Sequence, residues 1–110
     1  MKRNVPLAVN VTLQPGETRD VKVEFFEPCY SKYLHIPNDV AGLLSLLVAH
    51  TPFDHYQYVG PIGCTVFSDG AEVDPFHAHG FLPGHEAHLT FENRSKLQVE
   101  LHGALVVEVE

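Results

Sequence analysis

The stretch Val5-Pro6-Leu7-Ala8-Val9-Asn10-Val11-Thr12-Leu13 places an apolar residue at every odd position. A period of two is typical of a β-strand with one face in a core and the other in solvent. The same period returns near the other end of the chain, at Leu97, Val99, Leu101, Leu105, Val107 and Val109. Both ends of the sequence therefore predict strands, and the chain predicts an all-β fold.

Turn residues divide the rest of the chain into further short segments, beginning with Gln14-Pro15-Gly16-Glu17. Proline presets one turn dihedral and glycine accepts a positive φ, so such runs separate strands. Strands are predicted at about 5–13, 18–26, 30–36, 43–50, 62–67, 72–79 and 87–93, with a last one after Ser95. The sequence thus predicts one domain, residues 1–110, folded as an antiparallel, jelly-roll-like β-sandwich of about eight strands.

Three segments are less regular. Residues 43–50 fit a strand buried on both faces, which their strand neighbours favour, or a short helix capped by Asn38 or Asp39. Residues 51–61 contain three turn-forming residues and predict the longest loop. Gly103 falls in phase with the inward set of the last strand, which predicts a bend or bulge there.

Composition limits the kinds of partner. The chain has 110 residues, 45% of them hydrophobic and only 19% charged, with a net charge of −7. Such an acidic chain repels phosphate backbones, so no nucleic-acid partner is expected. No apolar run approaches the roughly 20 residues that cross a bilayer, and no signal peptide is predicted. The small charged fraction suggests that part of the surface is committed to a partner.

The two cysteines, Cys29 and Cys64, form no C-x-x-C motif and are too few for a disulfide framework. Buried thiols in a reducing compartment are the favoured interpretation. A single bridge between them is the alternative.

Eight histidines suggest a metal site as an alternative function. On the predicted strand 72–79, His77 and His79 would point to one face, and His88 follows nearby. A small cupin-like metal-binding jelly roll would use these three residues as ligands. However, His88 has the opposite parity to Ala87 and Leu89, which predicts that it faces solvent. The spacing also misses both cupin motifs, so no cofactor is expected.

Nucleophilic and phosphate-binding motifs are missing from the sequence. No serine lies in a nucleophile elbow, and no glycine-rich loop opens a helix. The chain is therefore expected not to be an enzyme.

Aromatic residues outside the inward parity are candidate interface anchors. They are Phe26, Tyr56, Tyr58, Phe76 and Phe81. Loops that fold back over these rings are the alternative. A second alternative function is a carbohydrate-binding sandwich in which Tyr56 and Tyr58 stack on sugars. The backbone of the outer strand 5–13 could also pair with a neighbour.

Three stretches carry a family resemblance: the Val5–Leu13 ladder, Leu13-Gln14-Pro15-Gly16 leading into Val21–Phe25, and Leu89–Ser95 leading into Leu101–Val107. This layout resembles the small jelly-roll or immunoglobulin-like proteins that decorate tailed-phage capsids. The resemblance implies a non-enzymatic virion protein that forms homo-oligomers and binds a capsid lattice. It would be found in the virion, or in the cytoplasm of the producing cell.

Overall fold

The computed structural model describes residues 2–53 and 56–110. Eight strands occur in these ranges, with one short α-helix, Asn38–Ala41, and one 3-10 helix, Cys64–Phe67. The strands are β1 (Arg3–Leu13), β2 (Thr18–Glu24), β3 (Cys29–His35), β4 (Leu44–Thr51), β5 (Tyr56–Gly63), β6 (Gly80–Phe81), β7 (Glu86–Asn93) and β8 (Val99–Val109). No helix of the described part is long and apolar enough to cross a membrane.

The strands form two four-stranded antiparallel sheets, in the orders β1-β8-β3-β6 and β2-β7-β4-β5. The first and last strands lie side by side, and most connections cross between the sheets. This arrangement is a jelly roll. It confirms the predicted all-β, jelly-roll-like sandwich of eight strands.

The pairing of β1 with β8 is the longest in the molecule. It runs without interruption from Arg3 opposite Val109 to Leu13 opposite Val99. Odd-numbered residues of both strands face inward, where Val9, Leu101 and Leu105 are fully buried. The period of two that predicted both strands therefore reflects one shared core face.

One hydrophobic core fills the space between the sheets. Its larger members are Phe25, Leu34, Leu46, Phe67, Phe76, Leu89 and Phe91. The buried Asn93 closes one end of this core. Its Nδ2 lies 3.2 Å from the carbonyl oxygen of Leu13 and 2.7 Å from that of Leu97. Its Oδ1 accepts hydrogen bonds from the backbone and hydroxyl of Ser95.

The middle of the chain departs from the predicted boundaries. The strand favoured for 43–50 is confirmed as β4, and the helix precedes it at Asn38–Ala41. The predicted loop 51–61 and strand 62–67 are wrong, because β5 covers Tyr56–Gly63 and a 3-10 helix follows. β5 lies at a sheet edge, where proline is tolerated. Asp54 and His55, within that predicted loop, lie outside the described residues.

The predicted strand 72–79 is also wrong, since residues 71–79 contain no strand and include a turn at 75–76 and a bend at 77–78 before the two-residue strand β6. His77 and Ala78 have φ values of +55° and +57°, which no strand accommodates. Single hydrogen bonds join this segment to β3: Leu34 donates to the carbonyl of Val73, and Ser31 to that of His79. The segment therefore covers an edge of β3 without extending the sheet.

The bend or bulge predicted at Gly103 is not observed, because the β1–β8 register passes through it unchanged. Bulges occur instead between Ser31 and Tyr33 and between Leu46 and Val48. A Cβ atom at Gly103 would lie 2.7 Å from the backbone oxygen of His35. Glycine is required there because β8 packs tightly against the end of β3.

We expect Gly103→Ala to lower the free energy of unfolding by about 1–3 kcal/mol, because the added methyl group forces backbone apart. Gly42→Ala is the matched control: a Cβ there meets nothing within 4 Å. That variant should stay within about 0.5 kcal/mol of the wild type in urea unfolding. Equal effects of the two substitutions would contradict the close approach at Gly103.

Candidate interaction surface

Three connections meet at one end of the sandwich: those between β2 and β3, between β4 and β5, and between β6 and β7. Phe25 donates a backbone hydrogen bond to His85 at 3.1 Å, and Gly84 donates one to Phe25 at 3.0 Å. The ring of Phe53 stacks on that of His85, with centroids 4.6 Å apart. These contacts hold the described parts of the three connections together.

Four large apolar side chains stand exposed around this junction, with 56% to 80% of their surface accessible. They are Phe26, Tyr30, Phe53 and Leu82, which we name the apolar end surface. Leu82 and Tyr30 line the same hollow, of about 240 Å³, whose floor includes Phe81 and Cys29. The backbone N–H of Leu82 also donates to Nδ1 of His85, at 3.2 Å. These contacts link Tyr30, Leu82 and Phe53 across the connections. Phe26 adjoins the same junction through Phe25, whose backbone bonds to Gly84 and His85.

Two of these exposed rings adjoin buried residues. Phe25 faces inward and stacks on Phe81 with centroids 3.9 Å apart. Tyr30 lies between Cys29 and Ser31, which are both buried. Because successive side chains of a strand alternate, the exposure of Tyr30 follows from its buried neighbours. Phe26 lies in the bend just after β2 and is exposed where Phe25 is buried.

A second hollow, of about 150 Å³, opens beside Phe26 between the edge strands β1 and β2. Val5 and Leu7 line it from β1, and Phe25 lines it from the end of β2. Val5 and Leu7 face inward but remain half-buried. The core is thus incompletely covered along the side where β1 and β2 run.

The five predicted aromatic anchors differ widely in their exposure to solvent. Phe26 is the most exposed large apolar residue among those described. Phe76 and Phe81 are 1% and 2% exposed, so the prediction of surface positions is wrong for both. Their rings pack edge to face with centroids 5.9 Å apart, and Phe81 also stacks on Phe25. Phe76 lies in the segment 71–79 that folds back over β3, and Phe81 lies on β6, which pairs with β3.

Tyr56 and Tyr58 belong to β5, not to a loop, and pack half-buried against the core. The hydroxyl of Tyr56 donates to the backbone oxygen of Pro75 at 2.8 Å. Burial, followed by the charge of Asp74, raises the pKa of Tyr56. Neither ring forms an open platform of the kind that stacks on sugars, so the structure lends no support to the carbohydrate-binding alternative. An interface role for the two tyrosines stays a prediction.

The histidines of the alternative metal site do not come together. His77 and His79 lie in the turn segment, where the ring of His79 contacts those of Tyr56 and Phe81. His88 lies on β7, in the other sheet. Within residues 2–53 and 56–110, no group of three or more histidine, cysteine or acidic residues could hold a metal ion. The site predicted from His77, His79 and His88 is therefore not formed.

His88 forms a polar cluster on the outer face of its sheet, as its parity predicted. Its Nδ1 lies 2.6 Å from Oδ2 of Asp20, and its Nε2 lies 2.9 Å from Oε1 of Glu86. Its ring stacks on His50, directly opposite on β4, with centroids 4.8 Å apart. Both ring nitrogens of His88 are engaged, so the cluster joins β2, β7 and β4. Nδ1 of His50, by contrast, is buried without a hydrogen-bond partner among the described residues.

The pKa of His88 is raised by this environment. Burial of the imidazole lowers the pKa, but the hydrogen bonds and charges of Asp20 and Glu86 together raise it by more. Folding therefore favours the protonated imidazole.

Sequence reasoning missed three members of the apolar end surface. Tyr30 could have been found from parity, since it alternates with Cys29 and Ser31. Leu82 and Phe53 stand beside prolines in connections, and nothing in a single sequence shows whether such residues are covered. The ring contact between Phe53 and His85 joins two residues that are distant in sequence.

The chain matches no family model, no curated protein and no solved structure in the comparisons with known proteins.

Cys29 and Cys64 are free thiols, both buried, so the alternative of a bridge between them is not observed. Burial raises the pKa of Cys29 to about 11, with a contribution from the charge of Glu27. Burial alone raises the pKa of Cys64 to about 12.

We expect both thiols to resist a disulfide reagent such as DTNB at pH 8 in the folded protein. Their reaction should be about 100-fold or more slower than in urea, because so little thiolate is present. The Cys29→Ala variant isolates Cys64, which should react more slowly than Cys29 does in the Cys64→Ala variant. Immediate reaction of both thiols in native buffer would contradict the buried positions.

We expect His88→Gln to destabilise the protein more at pH 6 than at pH 8. The raised pKa means that the contribution of His88 is complete below its unfolded value, near 6.5, and is lost as pH rises through the folded value. Urea unfolding at the two pH values measures the difference. Asp20→Asn removes one of the two negative charges that raise the pKa of His88, so it should make the stability of the protein less dependent on pH over this range. Equal destabilisation by His88→Gln at both pH values would contradict the assignment.

Proposed function

We propose that this protein is a non-enzymatic assembly protein that docks onto a larger protein structure through its apolar end surface. The observation that carries the proposal is the grouping of Phe26, Tyr30, Phe53 and Leu82 at one end of the sandwich. Contiguous exposed apolar surface is a feature of protein–protein contact sites. Aromatic anchors contribute most of the binding energy in such contacts.

The support beneath this surface favours binding. Phe26 follows Phe25, whose ring is stacked on Phe81 and whose backbone bonds to both Gly84 and His85. The ring of Phe53 rests on His85. Anchors on a fixed base lose little conformational freedom when they bind, so more of the contact energy remains as affinity.

The structure to which it docks is proposed from the resemblance to capsid decoration proteins. Such a protein attaches to a repeating lattice, where many identical weak contacts add up through multivalency. A small apolar surface on each copy is compatible with that mode of binding. The proposed location is therefore the virion, or the cytoplasm of the cell that produces it.

We expect the protein to sediment with particles far larger than itself when a native lysate of producing cells is run on a density gradient. An antibody raised against the chain follows it through the fractions, and electron microscopy identifies the particles. The double variant Phe26→Ser and Leu82→Ser should move from the particle fractions to the top of the gradient.

Leu97→Ser is the matched control, because Leu97 is 63% exposed and lies in the β7–β8 connection, outside the apolar end surface. This variant should sediment like the wild type. Circular dichroism of all purified variants checks that each is folded. Wild-type protein found only at the top of the gradient, or a double variant that stays with the particles, would overturn the proposal.

A further inference from the structure

The edge strand β1 has a backbone with no neighbour on its outer side. It lies at the end of the sheet order and, within residues 2–53 and 56–110, pairs only with β8. Every second residue of such a strand directs its N–H and C=O groups away from the sheet. Among the described residues, no hydrogen bond outside the β1–β8 ladder involves the backbone of residues 3–12.

Most edge strands carry features that prevent pairing with another chain, such as shortness, a bulge or a charged side chain. β1 is 11 residues long and its register with β8 is unbroken. No charged residue occurs from Asn4 to Leu13. Pro6 is the one protective feature, and it removes a single N–H donor. The other edge on this side, β2, is shorter and carries four charges.

The inward side chains of β1 are also incompletely buried. Val5, Leu7 and Val11 face inward yet are only half-buried. Their β8 partners Val107, Leu105 and Leu101 are at most 2% exposed. A strand added beyond β1 would cover the side chains that the fold leaves partly open.

We propose that β1 pairs antiparallel with β1 of a second copy of this chain. The β1-β8-β3-β6 sheet of one copy and the same sheet of the other then form one continuous sheet of eight strands. The two-fold axis passes through Ala8, because that centre uses the whole length of Arg3–Leu13. Val5 then lies opposite Val11 of the second copy, and Leu7 opposite Val9. Asn4 lies opposite Thr12 on the outer face. Inward residues meet inward residues at every position.

Charge favours a second copy at this side of an otherwise acidic molecule. Self-pairing of β1 brings no charged residues of like sign together from Asn4 to Leu13. The neighbouring β2 carries Arg19 and Lys22 with Asp20 and Glu24, two charges of each sign. Two copies can therefore meet along this side without the like-charge repulsion that a net charge of −7 imposes between them.

The dimensions are sufficient for a stable dimer. Eleven residues of strand span about 37 Å, which fits only the longest, 43 Å, extent of the molecule. A contact about 37 Å long and as deep as the least extent of the molecule, 19 Å, covers about 700 Å² per copy, near the roughly 800 Å² of a standard interface. The pairing stands on β1 alone and does not depend on the proposed docking through the apolar end surface.

Light scattering on the purified protein tests this inference. We expect a mass of twice 12.3 kDa. Ala8→Lys should weaken the dimer at least about tenfold, because two lysines would meet at the axis. Ala8 is exposed, so the fold tolerates the change. Thr18→Lys adds the same charge to an exposed site on the other edge strand, β2, and should leave the dimer intact.

Cysteine cross-linking tests the register independently. Residues opposed across an antiparallel pair have Cα atoms about 4.5–5.5 Å apart, within the range that a disulfide requires. Ala8→Cys should therefore cross-link two copies under copper–phenanthroline oxidation. Asn4→Cys should not, because its two copies would lie about 27 Å apart. The native thiols are buried and do not compete.

Each alternative result overturns the inference. A monomeric wild type at high concentration excludes the dimer. A dimer that survives Ala8→Lys without a cross-link through Ala8→Cys has another interface. Equal dissociation by Ala8→Lys and Thr18→Lys would show a general effect of charge and remove the assignment to β1.

Discussion

The pairing of β1 with β8 is the constraint on which the rest of the fold depends. Eleven residues from one end of the chain lie against eleven from the other, so the fold is complete only when both ends are present. β8 also carries β3 on its other side. Together β1, β8 and β3 form most of the sheet against which the second sheet packs. The close approach of Gly103 to the backbone oxygen of His35 fixes how closely β8 lies against the end of β3.

The sequence predicted best those strands in which one face alone is buried. The alternation at Val5–Leu13 and at Val99–Val109 comes from the core itself and therefore predicted β1 and β8, whereas Leu97 precedes β8 and is exposed. It failed at β5, because Gly60 and Pro61 favour a turn locally while an edge position tolerates them. It failed again at residues 72–79, where His77 and Ala78 adopt positive φ values. Two residues at that spacing point to one face only in a strand, so the spacing of His77 and His79 does not indicate a shared site in this segment.

The apolar end surface was predictable only in part, for a related reason. Phe26 was predicted to be exposed, and Tyr30 follows from the parity of its buried neighbours. Phe76 and Phe81 share the same aromatic character but lie in the core, because the segment 71–79 and β6 cover an edge of β3. Local pattern indicates which way a side chain points from its strand. It does not indicate which connection lies above that side chain, since this depends on contacts between distant residues.

The adjacency of the chain ends has a practical consequence for handling this protein. Arg3 and Val109 are directly paired, and Arg3 also contacts Glu27, in the connection that bears Phe26. A reporter or purification tag fused before β1 or after β8 would emerge beside the apolar end surface and shield it. The turn at Gln14–Glu17, at the opposite end of the sandwich, is the better insertion point for a label that must leave the apolar end surface accessible.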